Sequence, residues 1–105
     1  MGIKKGTTWK GIFADPRNGI GTIPMSLEIT AVTKKAFRGI TKYPKNEINV
    51  RGMLAGADVY FVEYEVVKGE ALIPNTYQGK LVDNTISGIS THANMQATFF
   101  VELQK

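Results

Sequence analysis

Apolar and polar positions alternate with a period of two over most of this chain. That period sends successive side chains to opposite faces of an extended strand. The longest such run is Ala57 to Val67, ADVYFVEYEVV. β-branched and aromatic residues fill it, and neither proline nor glycine interrupts it, as a strand requires. Tyr60, Val62, Tyr64 and Val66 share one face, and Phe61, Glu63 and Glu65 share the other. The first set is expected to face the core, and the second, with its two carboxyls, to face solvent.

The same alternation predicts strands over 8–14, 23–33, 36–42, 48–52, 76–82, 85–91 and 95–104. Trp9, Gly11 and Phe13 share a face, as do Phe37, Gly39 and Thr41, and Ile48, Val50 and Gly52. Tyr77, Gly79 and Leu81 repeat the arrangement, and Ala97, Phe99, Val101 and Leu103 close it. Residues with turn chemistry separate the runs: Asp15-Pro16-Arg17-Asn18-Gly19, Lys34-Lys35, Tyr43-Pro44-Lys45-Asn46, Ala55-Gly56-Ala57-Asp58, Lys68-Gly69-Glu70, Asp83-Asn84 and His92-Ala93-Asn94. No helical period persists beyond a turn. Eight short-linked strands predict an all-β fold, a single domain over residues 1–105. Its expected form is an antiparallel up-and-down meander closing into a barrel, with a β-sandwich as the alternative.

An internal repeat supports closure. Aromatic-x-Gly occurs at Trp9-Lys10-Gly11, Phe37-Arg38-Gly39 and Tyr77-Gln78-Gly79. Apolar-Glu-apolar follows at Leu27-Glu28-Ile29, Val62-Glu63-Tyr64 and Val101-Glu102-Leu103. Residues 60–64 then align with 99–103, giving units of two, three and three strands. A small barrel bends its strands sharply, and a residue without Cβ permits the bend. Gly39 and Gly79 are expected at equivalent bends, each covered by the aromatic two residues earlier, and Gly69 in a surface turn that tolerates Asn. This pattern resembles the calycin-like barrels, the group of lipocalins, fatty-acid-binding proteins and avidins. The Tyr-x-Gly and Phe-x-Gly strands are similar to the avidin type. The resemblance implies a barrel with a ligand cavity at one mouth. It does not imply biotin binding, because Trp9 is the only tryptophan.

Composition narrows the chemistry. The chain has 105 residues and no cysteine, which excludes disulfides, a thiolate nucleophile and thiolate zinc sites. The N-terminal MGIKKGTTWKG has no apolar run behind its lysines, and no stretch is long enough to span a membrane, so a cytoplasmic protein is expected. The net charge is +4, carried largely by Lys4, Lys5 and Lys10 and by Lys34, Lys35, Arg38, Lys42 and Lys45. Basic turns that guard strand edges account for this more simply than a nucleic-acid partner does.

Catalytic signatures are sparse. His92 is the only histidine and sits in a turn, so no catalytic residue, metal site or cofactor is assigned. Glu28, Glu63 and Glu102 have apolar neighbours on both sides, which favours outward carboxyls; Glu63 and Glu65 are the pair whose facing matters most. Gly19-Ile20-Gly21 and Gly52-Met53-Leu54-Ala55-Gly56 lack the helix and the Lys-Ser/Thr of phosphate loops. Arg38, Lys42, Arg51 and Lys80 with Tyr43 and Tyr77 would suit a nucleic-acid single strand only if the two tyrosines were exposed.

The leading functional expectation is a non-enzymatic barrel holding a small, mostly apolar or aromatic ligand at a mouth lined by Trp9, Phe13, Tyr60, Tyr64 and Tyr77. The alternative is an interaction domain that forms homo-oligomers through outward Phe61 and Phe100, with Ile12 beside them. An enzyme using Glu63 or Glu65 as its base has the least support.

Overall fold

The structure, a computed structural model, describes residues 2–15, 21–71 and 73–105. Among them lie eight strands: β1 (Thr8–Asp15), β2 (Gly21–Thr33), β3 (Ala36–Lys42), β4 (Glu47–Ala55), β5 (Asp58–Lys68), β6 (Asn75–Val82), β7 (Thr85–His92) and β8 (Met95–Leu103). Each pairs antiparallel with its neighbours in sequence, and β8 pairs back onto β1, so the sheet is a closed barrel. The expected meander is therefore the fold. Of the turn expected over 15–19, Asp15 ends β1 and residues 16–19 lie outside the described residues, as does Leu72.

Closure follows from side-chain parity. Trp9, Leu27, Ile29, Phe37, Val50, Val59, Phe61, Tyr77, Ile86, Phe99 and Val101 are buried inside. Eight strands leave an interior just wide enough for side chains to fill. Aromatic rings fill much of it: Phe61 stacks on Tyr77 at 4.4 Å with 6° between planes, and Phe99 meets both edge-on. Glycines make room for them. Gly79 pairs with Gly88 and Gly88 with Phe99, so the Phe99 ring lies over two glycines in one row. Gly52 pairs with both Phe37 and Phe61, and the Phe37 ring lies over it. Gly79 is thus covered by a ring from another strand and Gly39 is faced by Leu27 of β2, so neither is covered by the aromatic two residues earlier in its own strand.

One barrel end is closed. Ile3 is buried there, and the N-terminal segment hydrogen-bonds to β2 through Gly6 N to Ile29 O (2.8 Å) and Ile29 N to Thr7 O (2.9 Å). Three two-residue turns at this end open with a positive φ, at Lys34, Gly56 and Asp83. The second residue of each turn offers its carbonyl to the strand that follows the hairpin. Leu54 N donates to Lys35 O, Leu81 N to Ala57 O and Leu103 N to Asn84 O, at 2.7, 2.7 and 2.8 Å. The opposite end carries the β3–β4 and β5–β6 connections and the β7–β8 turn. No helix among the described residues is long and apolar enough to cross a membrane.

Candidate functional site

β5 faces the opposite way to the sequence expectation. Val59, Phe61 and Glu63 are buried inside, whereas Tyr60, Val62 and Tyr64 lie on the outer wall. A two-residue hairpin makes this unavoidable. Ala55 opposite Asp58 sets Gly52 opposite Phe61 and Val50 opposite Glu63, and directly opposed residues share a face. Since Val50 and Gly52 face inward, so do Glu63 and Phe61. The register then slips, and Asn49 opposes Glu65 with Tyr64 as the extra residue. Glu65 consequently lies outside, where Asn49 Nδ2 donates to its Oε1 at 2.8 Å. The two carboxyls, expected on one face, sit on opposite sides of the wall.

The turn of the strand face places a carboxyl in the core near the open end. Glu63 is fully buried. Its Oε2 accepts from Thr41 Oγ1 (2.5 Å), Tyr43 OH (2.7 Å) and Tyr77 OH (3.4 Å). Its Oε1 accepts from Asn75 Nδ2 at 3.0 Å. The Tyr43 and Tyr77 hydroxyls also touch each other. A buried carboxyl is costly unless its oxygens are satisfied, and four donors satisfy these. Burial, then the neighbouring Tyr77 and Glu63, holds the Tyr43 hydroxyl well above the usual tyrosine range. Burial first and Glu63 second push Tyr77 up as well. Both phenols stay protonated and act as donors. A substrate could reach Glu63 only by displacing a hydroxyl that already holds it, so the arrangement suits a structural network better than a general base.

The residues expected to line the mouth are dispersed. Trp9 is buried in the core, with its Nε1 3.3 Å from Thr7 Oγ1. Phe13 and Tyr77 do meet near the open end, where Phe13 lies edge-on to Tyr43 at 6.1 Å and to Tyr77 at 6.5 Å. Tyr60 and Tyr64 are outside and cannot join them. His92, half-buried, has Nδ1 2.9 Å from Pro74 O and ties the β7–β8 turn to the β5–β6 connection. No group of three His, Cys, Asp or Glu among the described residues could hold a metal. The basic aromatic surface also dissolves: Lys42 pairs with Glu28 at 2.9 Å, Lys80 pairs with Asp58, and Tyr43 and Tyr77 point inward.

The outer wall holds a groove instead. Strand register lays three rows across β2 to β6. Ala31, Arg38, Arg51, Val62 and Thr76 form one ridge; Thr33, Ala36, Met53, Tyr60 and Gln78 form the other. Between them runs the backbone of the inward row Val32, Phe37, Gly52, Phe61 and Tyr77. These residues line a hollow of about 660 Å³. Ridges two residues apart are separated by roughly 7 Å, and five strands span roughly 19 Å. Tyr64 stands beside it: Arg38 Nη1 lies 3.4 Å from its hydroxyl, and Arg51 Cζ lies 4.9 Å from its ring centre. The signal for this groove was the hairpin register, which assigns Tyr60 and Val62 to the outside once Gly52 is inside. Comparison with protein-family models, with curated proteins and with solved structures finds no match to this chain.

Proposed function

We propose that this barrel is a non-enzymatic binding protein for a small, mostly apolar ligand, held in the groove across β2 to β6. The observation that carries the reading is the groove itself: about 660 Å³ in volume, with Met53, Tyr60 and Val62 giving it an apolar character. Ligand sites are clefts of roughly 300–1,000 Å³ with apolar walls and a few polar groups. The interior supports the calycin-like alternative less well, since packed rings and the Glu63 network occupy the space near the mouth. A neutral aromatic probe, N-phenyl-1-naphthylamine, tests the reading by amide chemical-shift mapping. Shifts are expected at Met53, Tyr60, Val62 and Gln78. Shifts centred on Phe13 and Tyr43, or none at all, would refute the groove.

A second reading is self-association through the opposite wall. Ile12 and Phe100 are register partners, and each is more than two-fifths exposed. Ile89, on the neighbouring strand, is exposed as well. Sedimentation at high micromolar concentration would show a dimer that Phe100→Ser dissolves; a strict monomer would end this reading.

A further inference from the structure

We infer that the ligand of the outer groove is an amphiphilic anion, with an oxyanion head seated between Arg38 and Arg51 and an apolar body lying toward Tyr60. The inference rests on the binding role proposed above for the groove. Its starting point is a pair that is unfavourable without a ligand. Arg38 and Arg51 are directly opposite on β3 and β4, and both are exposed on the outer face. Like charges directly opposite on one face of a sheet repel. No carboxylate among the described residues pairs with either guanidinium. Glu28 is paired with Lys42 and Asp58 with Lys80, Glu63 lies in the interior, and Glu65 is turned to the Asn49 amide. What holds the two guanidiniums is Tyr64, which meets Arg38 with its hydroxyl and Arg51 with its ring face. A cation over a ring face is positioned but not neutralised.

The geometry defines the missing partner. Two guanidinium forks on adjacent strands present planar N–H donors that match a carboxylate, sulfonate or phosphate. Along the same ridge the next residue is Val62, and across the groove stand Met53 and Tyr60. A ligand with its anionic group at Arg38 and Arg51 therefore lays its remainder on apolar side chains. From Arg51 to Gln78 the groove crosses β4, β5 and β6, roughly 10 Å of strand spacing, which suits two fused rings or a chain of similar length. Gln78 and Thr76 at the far end are neutral and polar, so a second charge is not required there.

Two fluorescent probes with the same ring body separate the two levels of the argument. 1-Anilinonaphthalene-8-sulfonate carries a sulfonate that N-phenyl-1-naphthylamine lacks. The wild-type chain should bind the sulfonate at least about tenfold more tightly than the neutral probe. Arg38→Gln with Arg51→Gln should remove that preference by weakening the sulfonate at least about tenfold more than the neutral probe, while Lys10→Gln on β1 should alter neither affinity. The double variant should also have a urea midpoint no lower than that of the wild type, because it relieves repulsion and strands no buried group. Equal affinity for the two probes, or a preference that survives the double variant, would overturn the anion inference while leaving the groove as a site. Failure of both probes to bind the wild type would overturn both.

Discussion

Glu63 is the residue whose replacement tests the interior most directly. Glu63→Leu keeps an unbranched Cβ and comparable bulk but removes the acceptor for Thr41, Tyr43, Tyr77 and Asn75. A buried donor left without a partner costs about 1–3 kcal/mol. Tyr43 and Tyr77 already touch, so one of the two hydroxyls can donate to the other, and Thr41 Oγ1 also lies 3.4 Å from Ile48 O. The other phenol and the Asn75 amide each lose this acceptor, for an expected loss of about 2–6 kcal/mol. That is a large part of the 5–15 kcal/mol typical of a single domain. Replacing the partners with apolar groups of matching shape should restore much of it, because a network removed whole costs less than one broken. The assay is equilibrium urea unfolding of wild type, Glu63→Leu, and Glu63→Leu combined with Thr41→Val, Tyr43→Phe and Tyr77→Phe. The reasoning fails if Glu63→Leu lies within about 1 kcal/mol of wild type, or if the combined variant is less stable than the single one.

Other consequences can be checked with the same equipment. Tyr43 and Tyr77 have raised folded values, so stability should hold below the ordinary tyrosine range and fall above it. Above about pH 10 the unfolded chain binds fewer protons than the folded one. Two retained protons give a slope of about −2.7 kcal/mol per pH unit, read as phenolate absorbance at 295 nm appearing together with the loss of β-sheet circular dichroism. Gly39→Val and Gly79→Val should each cost about 1–3 kcal/mol, because a Cβ at Gly39 would overlap the Glu28 carbonyl oxygen and one at Gly79 would lie 2.6 Å from Ser87 O. Gly69→Asn should cost a similar amount despite its permissive φ of 81°, since a Cβ there would overlap Lys45 O, whereas Gly56→Asn, in open space, should be nearly silent in urea melts. Phe61→Ala should lose about 3–5 kcal/mol and Phe100→Ala under about 1 kcal/mol, the reverse of what outward placement of Phe61 would predict.

Strand existence, strand order and closure were legible because alternation, short turns and glycine placement all agree along this chain. The facing of β5 was not, because both of its faces carry aromatic and β-branched residues, and Glu63 looked like the solvent marker. Its partners, Thr41, Tyr43, Asn75 and Tyr77, come from other strands, so nothing local announces that the carboxyl is satisfied inside. The repeat misled in the same way. Aligning residues 60–64 with 99–103 matched Phe61 to the exposed Phe100, whereas the buried equivalent of Phe61 is Phe99. Register counted from the Gly56-Ala57 turn outranks sequence similarity here, because pairing geometry leaves no freedom in which face a residue takes. The groove was legible only after that correction, since Tyr60 and Val62, which give it apolar walls, were expected in the core.

The turn carbonyls at the closed end have a bearing on how the chain acquires its shape. Lys35, Ala57 and Asn84 each offer an acceptor that the hairpin containing it does not use; the donor is a leucine on the following strand. A hairpin that has just formed is thus incomplete until the next segment arrives and latches onto it. Leu54, Leu81 and Leu103 engage in that order, and Gln104 N then reaches Thr8 O at 2.9 Å to join the two ends of the chain. A chain emerging N-terminus first would recruit each strand onto a waiting site and hold β1 unpaired on one side until β8 appears. Truncation before Met95 would remove the last latch together with the seam, leaving two open strand edges, on β1 and β7, where the closed barrel has none.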